Sequence, residues 1–294
     1  MKRLAGFLLL SCLLSGCWSA CAAQGKSEER HGPPKVLVIM REFLKPGKQG
    51  STHEKTESAF VQAFRKANWP QHYFSVDSLS GKPRSLFLVG YNSFADWEKD
   101  NQAVAKNAAL SAALERASAA DGELLSEYDT GVFTYREDYS LNPPADIAQM
   151  RYFEISLFHV RPGHRNDWDE LVKLVMKAYE KIPDTHWVTF EANYGTDGGT
   201  YLVFNPIKSL SEVDKAMGQD KDFAAAMGPD GMKRLAELEA ASVETSQTNL
   251  FMFNPRNSYP PDEWIKADPA FWKPSGASSA AGTTSSKKKT PAKE

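Results

Sequence analysis

The segment REFLKPGKQ, residues 41–49, decides the fold because its pattern returns as LFHVRPGHR, residues 157–165. In both segments an apolar run ends in a basic residue that is followed by Pro-Gly. Proline fixes one backbone dihedral and glycine permits left-handed conformations, so each Pro-Gly pair predicts a turn. The offset of 116 residues that aligns the two pairs also aligns further residues, which indicates an internal repeat. These further pairs are Phe74 with Phe190, Leu86 with Leu202, Ser93 with Ser209 and Lys99 with Lys215.

The pattern around each turn predicts the same order of elements. Residues 36–43 and 152–159 are apolar runs rich in β-branched and aromatic side chains, which is typical of strands. After each turn, apolar residues recur at three- and four-residue steps and predict an amphipathic helix. A strand hairpin, a second helical region and a closing strand complete each copy. The predicted hairpin strands are 72–76 with 85–89 and 187–194 with 200–204, the second helical regions 93–127 and 209–246, and the closing strands 131–135 and 249–253.

Each copy therefore reads β-α-β-β-α-β, the ferredoxin-like unit. A four-stranded sheet with helices on one face leaves its other face uncovered, and that face must pack against something apolar. A second copy in the same chain supplies the cover. We predict an α+β protein of two tandem ferredoxin-like β-α-β-β-α-β repeats, packed sheet to sheet as an internal pseudo-dimer.

Composition predicts the segments that flank and connect the repeats. Two Pro-Pro segments, at 139–144 and 257–262, are expected to run over the surface because proline cannot donate to a sheet ladder. Trp264, Phe271 and Trp272 lie close together and are expected to dock on the body. The predicted organisation is 1–23 signal segment, 24–34 flexible spacer, 35–138 first repeat, 139–150 Pro-containing linker, 151–256 second repeat, 257–273 aromatic C-terminal arm and 274–294 disordered basic tail.

The N-terminus predicts export to the periplasm or cell envelope of a bacterium, or secretion. Basic residues precede the apolar run 4–14, as in a signal peptide, and that run is too short to span a bilayer. Cleavage near Ala22 or Ala23 competes with lipidation at Cys17, which ends the lipobox-like Leu-Ser-Gly-Cys. All three cysteines lie in this segment, so we expect no disulfide and no thiolate site in the mature domain.

Charge narrows the range of partners. The formal net charge is −2, and the lysines at 287–289 lie in the predicted tail, so nothing indicates a nucleic-acid surface. The expected partner is an unknown small molecule or a protein. Contact with a membrane is expected only through a lipid anchor at Cys17.

The strand, the basic-Pro-Gly turn, the amphipathic helix and the aromatic hairpin resemble the dimeric α/β-barrel (ferredoxin-like) superfamily. Within it, the chain is most similar to antibiotic-biosynthesis-monooxygenase-like and NIPSNAP-like domains. The resemblance rests on FLKPG at 43–47 and HVRPG at 159–163, and it covers about residues 36–259. It implies the fold. The superfamily includes cofactor-free oxygenases, haem-handling enzymes and proteins with no assigned activity, so the resemblance supplies no catalytic residue.

The candidate ligand pocket is placed in the second repeat, at His159, Trp187, Phe190 and Tyr194. His159 ends a strand where the first copy has Phe43, and an imidazole there is a candidate general base. The aromatic residues line an apolar pocket or fill the core. No His-x-x-x-His pair occurs, so we predict no metal site. The catalytic residues are left unassigned.

The leading functional prediction is an exported protein that binds a small apolar or aromatic ligand or a protein partner. One alternative is a cofactor-independent monooxygenase or a haem-associated enzyme with a pocket near His159. A second alternative is a structural envelope protein. We predict no cofactor for the leading reading, and haem is the cofactor that the enzyme alternative allows. Whether the protein is an enzyme stays open.

Overall fold

The computed structural model describes residues 32–144 and 146–273. The predicted signal segment, the lipidation candidate Cys17 and the basic tail lie outside the described residues. Eight strands hydrogen-bond in the order β1-β3-β2-β8-β5-β7-β6-β4 and close into a barrel. The strands are β1 Val36–Leu44, β2 Tyr73–Ser78, β3 Arg84–Tyr91, β4 Leu125–Tyr135, β5 Tyr152–Val160, β6 Val188–Tyr194, β7 Thr200–Ile207 and β8 Val243–Tyr259.

Helices connect the strands on the outside of the barrel. The helical region predicted at 93–127 is split at Asn107, whose side chain accepts a hydrogen bond from the Leu110 amide and starts a new helix. The helical region predicted at 209–246 is kinked at Gly228, with φ 69°, before Pro229. The helices are α1 Ser51–Ala67, α2 Phe94–Lys106, α3 Ala108–Gly122, α4 Arg165–Tyr179, α5 Ser211–Met217, α6 Asp220–Ser242, α7 Asp262–Ala267 and α8 Pro269–Trp272, with 3-10 turns at Glu137–Tyr139 and Ile147–Gln149.

The halves of the chain have the same strand order, β4-β1-β3-β2 in the first and β8-β5-β7-β6 in the second. This is the mixed α+β barrel that the resemblance to dimeric α/β barrels implied. The sheets do more than pack face to face as predicted. Strands β2 and β8, and strands β4 and β6, pair along their edges, so one closed barrel replaces two separate sheets. Closure satisfies the edge hydrogen-bonding groups that an open sheet would expose.

The barrel interior is the main hydrophobic core, and both halves contribute to it. Leu37 and Ile39 of β1 point inward with Phe153, Phe204 and others, and all are at most 8 % exposed. The alternation of β1 places its even-numbered residues on the outer face, under the helices. Side chains on that outer face therefore decide what lies between sheet and helices. Within the described residues, no helix is long and apolar enough to cross a membrane.

Strand β8 is much longer than the predicted strand 249–253. It begins at Val243, where a helix was expected to continue to residue 246, and it ends at Tyr259. The prediction that residues 257–259 run over the surface is wrong, because Asn257 and Ser258 are fully buried. The Ser258 hydroxyl accepts a hydrogen bond from the Ser75 amide at 2.9 Å, which attaches this end to β2.

The aromatic arm docks on the barrel as expected. Trp272 is fully buried, and its indole nitrogen donates a 2.8 Å hydrogen bond to the carbonyl of Ala148. Trp264 and Phe271 pack against the same core. The predicted linker is not a surface segment where it begins, since Tyr139 is 1 % exposed. Both Pro-Pro segments thus start with buried residues that close gaps between strands and helices.

Candidate functional site

Four buried titratable side chains meet on the outer face of the first half, between its sheet and its helices. They are Glu42 of β1, His53 and Glu57 of α1, and Asp121 of α3. One candidate ligand atom from each lies within 4.8 Å of the others. None of the four residues is more than 7 % exposed. We call this set the acid–histidine cluster.

Local structure explains how each member reaches the cluster. Glu42 continues the outward row of β1 residues that begins with Val36 and Val38. His53 and Glu57 are one helical turn apart and therefore share one face of α1. Asp121 lies in the last turn of α3, where the helix dipole disfavours a carboxylate. A specific contact is therefore needed to hold Asp121 there.

The imidazole of His53 is at the centre of the cluster. Its Nε2 lies 3.0 Å from Glu42 Oε2, 3.7 Å from Glu57 Oε1 and 3.6 Å from Asp121 Oδ1. The hydroxyl of Thr56 donates a 2.5 Å hydrogen bond to Asp121 Oδ1 and fixes that carboxylate. Glu57 Oε1 is buried and has no hydrogen-bond partner among the described residues.

The electrostatics of the cluster favour bound protons or another cation. Burial raises the pKa of Glu57 well above its usual range, and the nearby carboxylates of Glu42 and Asp121 raise it further. Burial also raises the pKa of Glu42, although its hydrogen bond with His53 acts in the opposite direction. For His53, burial lowers the pKa, but the hydrogen bond with Glu42 and the charge of Asp121 outweigh it and the pKa is raised.

A cavity of about 690 Å³ begins at the cluster and opens to the surface. Glu42, Glu57 and Asp121 form part of its wall at the buried end, while residues such as Ser118 and Glu127 line it where the chain is exposed. Much of the remaining wall is aromatic or aliphatic. The aromatic residues at the buried end include Phe60, Phe64, Trp69, Tyr73, Phe87 and Tyr91.

Two features of the wall matter for recognition. Asp100 accepts hydrogen bonds from the Trp69 indole and the Tyr91 hydroxyl, each at 2.8 Å, and so fixes two rings. The hydroxyl of Tyr73 is buried without a hydrogen-bond partner among the described residues. Tyr73 and Glu57 therefore each present an unpaired polar atom in one cavity, and such atoms are costly unless a ligand or water satisfies them.

In the second half, aromatic side chains meet at the corresponding position. Glu42 is paired with Ser85 in the first half, and the matching strands of the second half pair Phe158 with Tyr201. The ring of Trp168 lies 5.1 Å from that of Tyr201 and 5.2 Å from that of Phe158, so three aromatic side chains fill the region. Burial raises the pKa of Tyr201 to about 12. The halves share a fold and differ in chemistry here.

The four residues predicted for a pocket have different surroundings in the structure. His159 lies at the end of β5, with Nε2 3.4 Å from Glu244 Oε2. The Trp187 indole donates to the carbonyl of Tyr139 at 2.8 Å. Phe190 belongs to the barrel interior, and Tyr194 is 64 % exposed. None of the four is among the described residues that line the cavity, and their role as a site stays a prediction.

Sequence reasoning missed the acid–histidine cluster because it searched for paired histidines. The available signal was His53-Glu54-Lys55-Thr56-Glu57, which places a histidine and a carboxylate one turn apart on a helix. A second signal was Glu42, which interrupts the apolar outward row of β1. The prediction of no metal site rested on local patterns, namely histidine spacing and the absence of cysteines from the mature domain, and the cluster reopens that question.

Comparisons with known proteins give distant likenesses. No protein-family model matches the sequence, and no curated protein matches it. A crystal structure of a putative monooxygenase from Fusobacterium nucleatum subsp. nucleatum is similar at 10 % identity and a TM-score of 0.47, over 75 % of this chain and 93 % of that one. An anthrone oxidase-like protein is similar at 14 % identity and a TM-score of 0.48, over 75 % of this chain and 92 % of that one. Chlorite dismutase from Candidatus Nitrospira defluvii, in complex with imidazole, is similar at 12 % identity and a TM-score of 0.45, over 80 % of this chain and 95 % of that one. At these identities and scores, the activities of these proteins are not transferred to this chain.

Proposed function

We propose that the first half binds a small, largely flat organic molecule in its cavity. The observation that carries this proposal is the difference between the halves. The same position between sheet and helices is an aromatic-lined cavity of about 690 Å³ in the first half and is filled by Trp168 in the second. A volume of several hundred Å³ with a mostly apolar wall and a few polar groups is typical of small-molecule sites.

The polar atoms of the wall define the class of ligand. The carboxylates of Glu42, Glu57 and Asp121 accept hydrogen bonds and disfavour anions, and within the described residues the cavity is lined by no lysine or arginine. The unpaired Tyr73 hydroxyl and Glu57 Oε1 are satisfied by a ligand with both a donor and an acceptor. The proposed ligand is therefore a neutral or cationic aromatic molecule with a hydroxyl or amine group.

N-phenyl-1-naphthylamine is a suitable probe because it is neutral, aromatic and fluorescent in apolar surroundings. We expect one saturable binding event in the full chain. Ser118 lines the cavity from an exposed position on α3, so Ser118→Trp adds a ring at the opening and is expected to weaken probe binding at least about tenfold. Ala119→Trp adds the same ring at an exposed neighbouring position outside the lining and serves as the matched control. Equal binding by both variants would refute the proposal.

We infer further that the two halves are tandem ferredoxin-like repeats that form an internal pseudo-dimer. The matching strand orders and the two edge pairings support this inference. Since the barrel closes within one chain, no second copy is needed to cover the sheets. Sedimentation of the purified full chain is expected to give a monomer, and a chain that folds only as a dimer would contradict the inference.

We propose that the chain is exported and is either cleaved near Ala22 or Ala23 or lipidated at Cys17. The basic start and the short apolar run support this proposal. Mass spectrometry of the mature N-terminus separates the two outcomes. An intact N-terminus in the cytoplasm of the producing cell would contradict export.

Haem was tested against the residues of the cavity, and they do not fit it. Haem carries two propionates, and the described lining supplies carboxylates where cationic partners are needed. His159, the predicted axial candidate, does not line this cavity. The oxygenase alternative near His159 stays a prediction. Turnover of a quinol substrate that is abolished in His159→Ala would support it.

A further inference from the structure

We propose that Glu42, His53, Glu57 and Asp121 bind one divalent transition-metal ion. The site would consist of one imidazole nitrogen and carboxylate oxygens, all supplied by the first half. This inference goes beyond the proposed binding of an organic molecule, although both sites use the carboxylates at the buried end of the cavity. The two proposals can fail separately because Ser118 lines the cavity and is not a member of the acid–histidine cluster.

The geometry of the cluster is close to that of a coordination shell. Four ligands bound at about 2.1 Å in a tetrahedral arrangement lie roughly 3.4 Å from one another. From His53 Nε2, the nearest carboxylate oxygens of the other three residues lie at 3.0, 3.6 and 3.7 Å. The candidate atoms lie within 4.8 Å of one another, so small side-chain rotations would complete the shell.

The charge of the cluster favours bound protons or a cation. Three carboxylates are buried together, and burying charges without compensation is expensive. Within the part of the chain that the structure describes, the ion pairs of these carboxylates are all with His53. Asp77 adds a further negative charge to the electrostatics of Glu42 and Glu57. One imidazolium cannot balance this set, whereas a divalent ion supplies two positive charges.

The unpaired oxygen of Glu57 is the independent sign of a ligand. Glu57 is 2 % exposed, and its Oε1 has no hydrogen-bond partner among the described residues. That atom lies 3.7 Å from His53 Nε2, on the same cavity wall as Glu42 and Asp121. A polar atom that is buried without a partner destabilises the folded state, and a metal ion at this point satisfies it.

Contacts behind the cluster hold its members in place. Thr56 donates a hydrogen bond to Asp121 at 2.5 Å and orients that carboxylate. Such supporting contacts orient ligands and tune their affinity for a metal. The open end of the cavity supplies the access path for an ion.

The mixture of ligands selects the class of metal. Imidazole nitrogen favours Fe²⁺, Co²⁺ or Zn²⁺ over Mg²⁺ and Ca²⁺, which prefer oxygen ligands alone, and the carboxylates of the cluster also suit Mn²⁺. Mn²⁺ is the best probe for the full chain. It is a hard ion, so it binds poorly to the thiols of Cys12, Cys17 and Cys21 in the N-terminal segment.

The test is a titration of chelator-treated full-length protein with Mn²⁺, in which the loss of the free-ion electron paramagnetic resonance signal counts bound metal. We expect one equivalent to bind. Glu57→Gln and His53→Gln are expected to weaken binding at least about tenfold. His164→Gln, at a histidine that pairs with Asp167 in the second half, is the matched control and is expected to bind as the wild type does.

The outcomes are distinct. Absence of saturable binding, or equal binding by Glu57→Gln and wild type, would overturn the metal site. Circular dichroism checks that each variant folds. If His53→Gln fails to fold, Glu57→Gln still decides the test, because the Glu57→Gln substitution removes a buried carboxylate oxygen that has no hydrogen-bond partner among the described residues. Ser118→Trp is expected to lose the naphthylamine probe and keep Mn²⁺, so failure of the organic-ligand proposal leaves the metal result readable.

Discussion

His53 Nε2 lies 3.0 Å from Glu42 Oε2, and the two residues are joined by the Pro-Gly turn that defines the fold. Gly47 has a φ of 76°, which a residue with a side chain rarely adopts, and the turn sends α1 back across the end of β1. In the second half the corresponding turn brings Phe158 against Trp168 instead. The same Pro-Gly turn therefore precedes the acid–histidine cluster in the first half and an aromatic contact in the second half.

Glu57→Gln is expected to raise the melting temperature of the chelator-treated protein at about pH 8 and to change it little at about pH 5. Because burial raises the pKa of Glu57, the folded protein keeps this carboxyl protonated at pH values where the unfolded chain has lost the proton. Stability is therefore lost as pH rises through the raised pKa, and glutamine removes that loss. Thermal unfolding at the two pH values measures the effect.

The control for this prediction is Glu154→Gln on β5. Burial also raises the pKa of Glu154, but no neighbouring carboxylate contributes to that shift. We expect a smaller gain at the higher pH than for Glu57→Gln. A lower melting temperature for Glu57→Gln at both pH values would show that the Glu57 carboxylate is satisfied in the metal-free protein.

Trp168→Ala is expected to open a second cavity and to cost about 3–5 kcal/mol in the free energy of unfolding. Trp168 is 2 % exposed and packs between Phe158 and Tyr201. Urea denaturation measures the cost, and a naphthylamine titration is expected to show a second bound equivalent. Phe94→Ala, at a residue 41 % exposed, is the control with little expected cost. Loss of stability without a second bound probe would mean that the second half collapses around the missing ring.

Arg136→Lys is expected to lower the free energy of unfolding by about 1.5–3 kcal/mol. The guanidinium lies 3.8 Å from the centre of the Tyr139 ring and donates to Glu191 at 2.5 Å and to Asp138 at 2.7 Å. Lysine retains the charge and loses both the planar stacking and the forked hydrogen bonds. Urea denaturation measures the change.

Arg234→Lys is the matched control for that substitution. Arg234 also makes a forked contact, with Glu170, but its side chain is 45 % exposed. The expected cost is therefore smaller than that of Arg136→Lys, because solvent screens an exposed ion pair. Equal costs for the two lysine variants would show that the position of Arg136 between the halves adds nothing.

Trp272→Ala is expected to cost about 3–5 kcal/mol, and Trp272→Phe about 1 kcal/mol. The indole is fully buried in the barrel core, and phenylalanine keeps most of the packing but cannot donate to the carbonyl of Ala148. Chemical denaturation measures both. A cost near zero for the alanine variant would mean that packing of the C-terminal arm does not stabilise the barrel.

The order of strands and helices could be predicted from the sequence because local patterns agree with it. The alternation of β1 separates Leu37 and Ile39, which enter the barrel, from Val36 and Val38, which face the helices. The length of β8 could not be predicted. Its first half is polar, and it forms a strand because β5 and β2 supply hydrogen-bonding partners that are distant in the sequence.

The acid–histidine cluster could not be predicted from local sequence patterns either, because its members are distant in the sequence. Asp121 is separated from His53 by two strands, by α2 and by most of α1 and α3, and only packing of α3 on α1 brings their side chains together. Trp187 and Phe190 illustrate the opposite case, since an aromatic strand looks alike whether it lines a pocket or fills a core. Phe190 fills the core.

Strand β8 also sets the order in which the chain can mature. Its early residues pair with β5, its later residues pair with β2, and it begins only at Val243. A nascent polypeptide therefore cannot seal the barrel until nearly all of it has left the ribosome. Until then β2 and β5 each present an open edge to other chains, so a product truncated before Val243 is expected to aggregate.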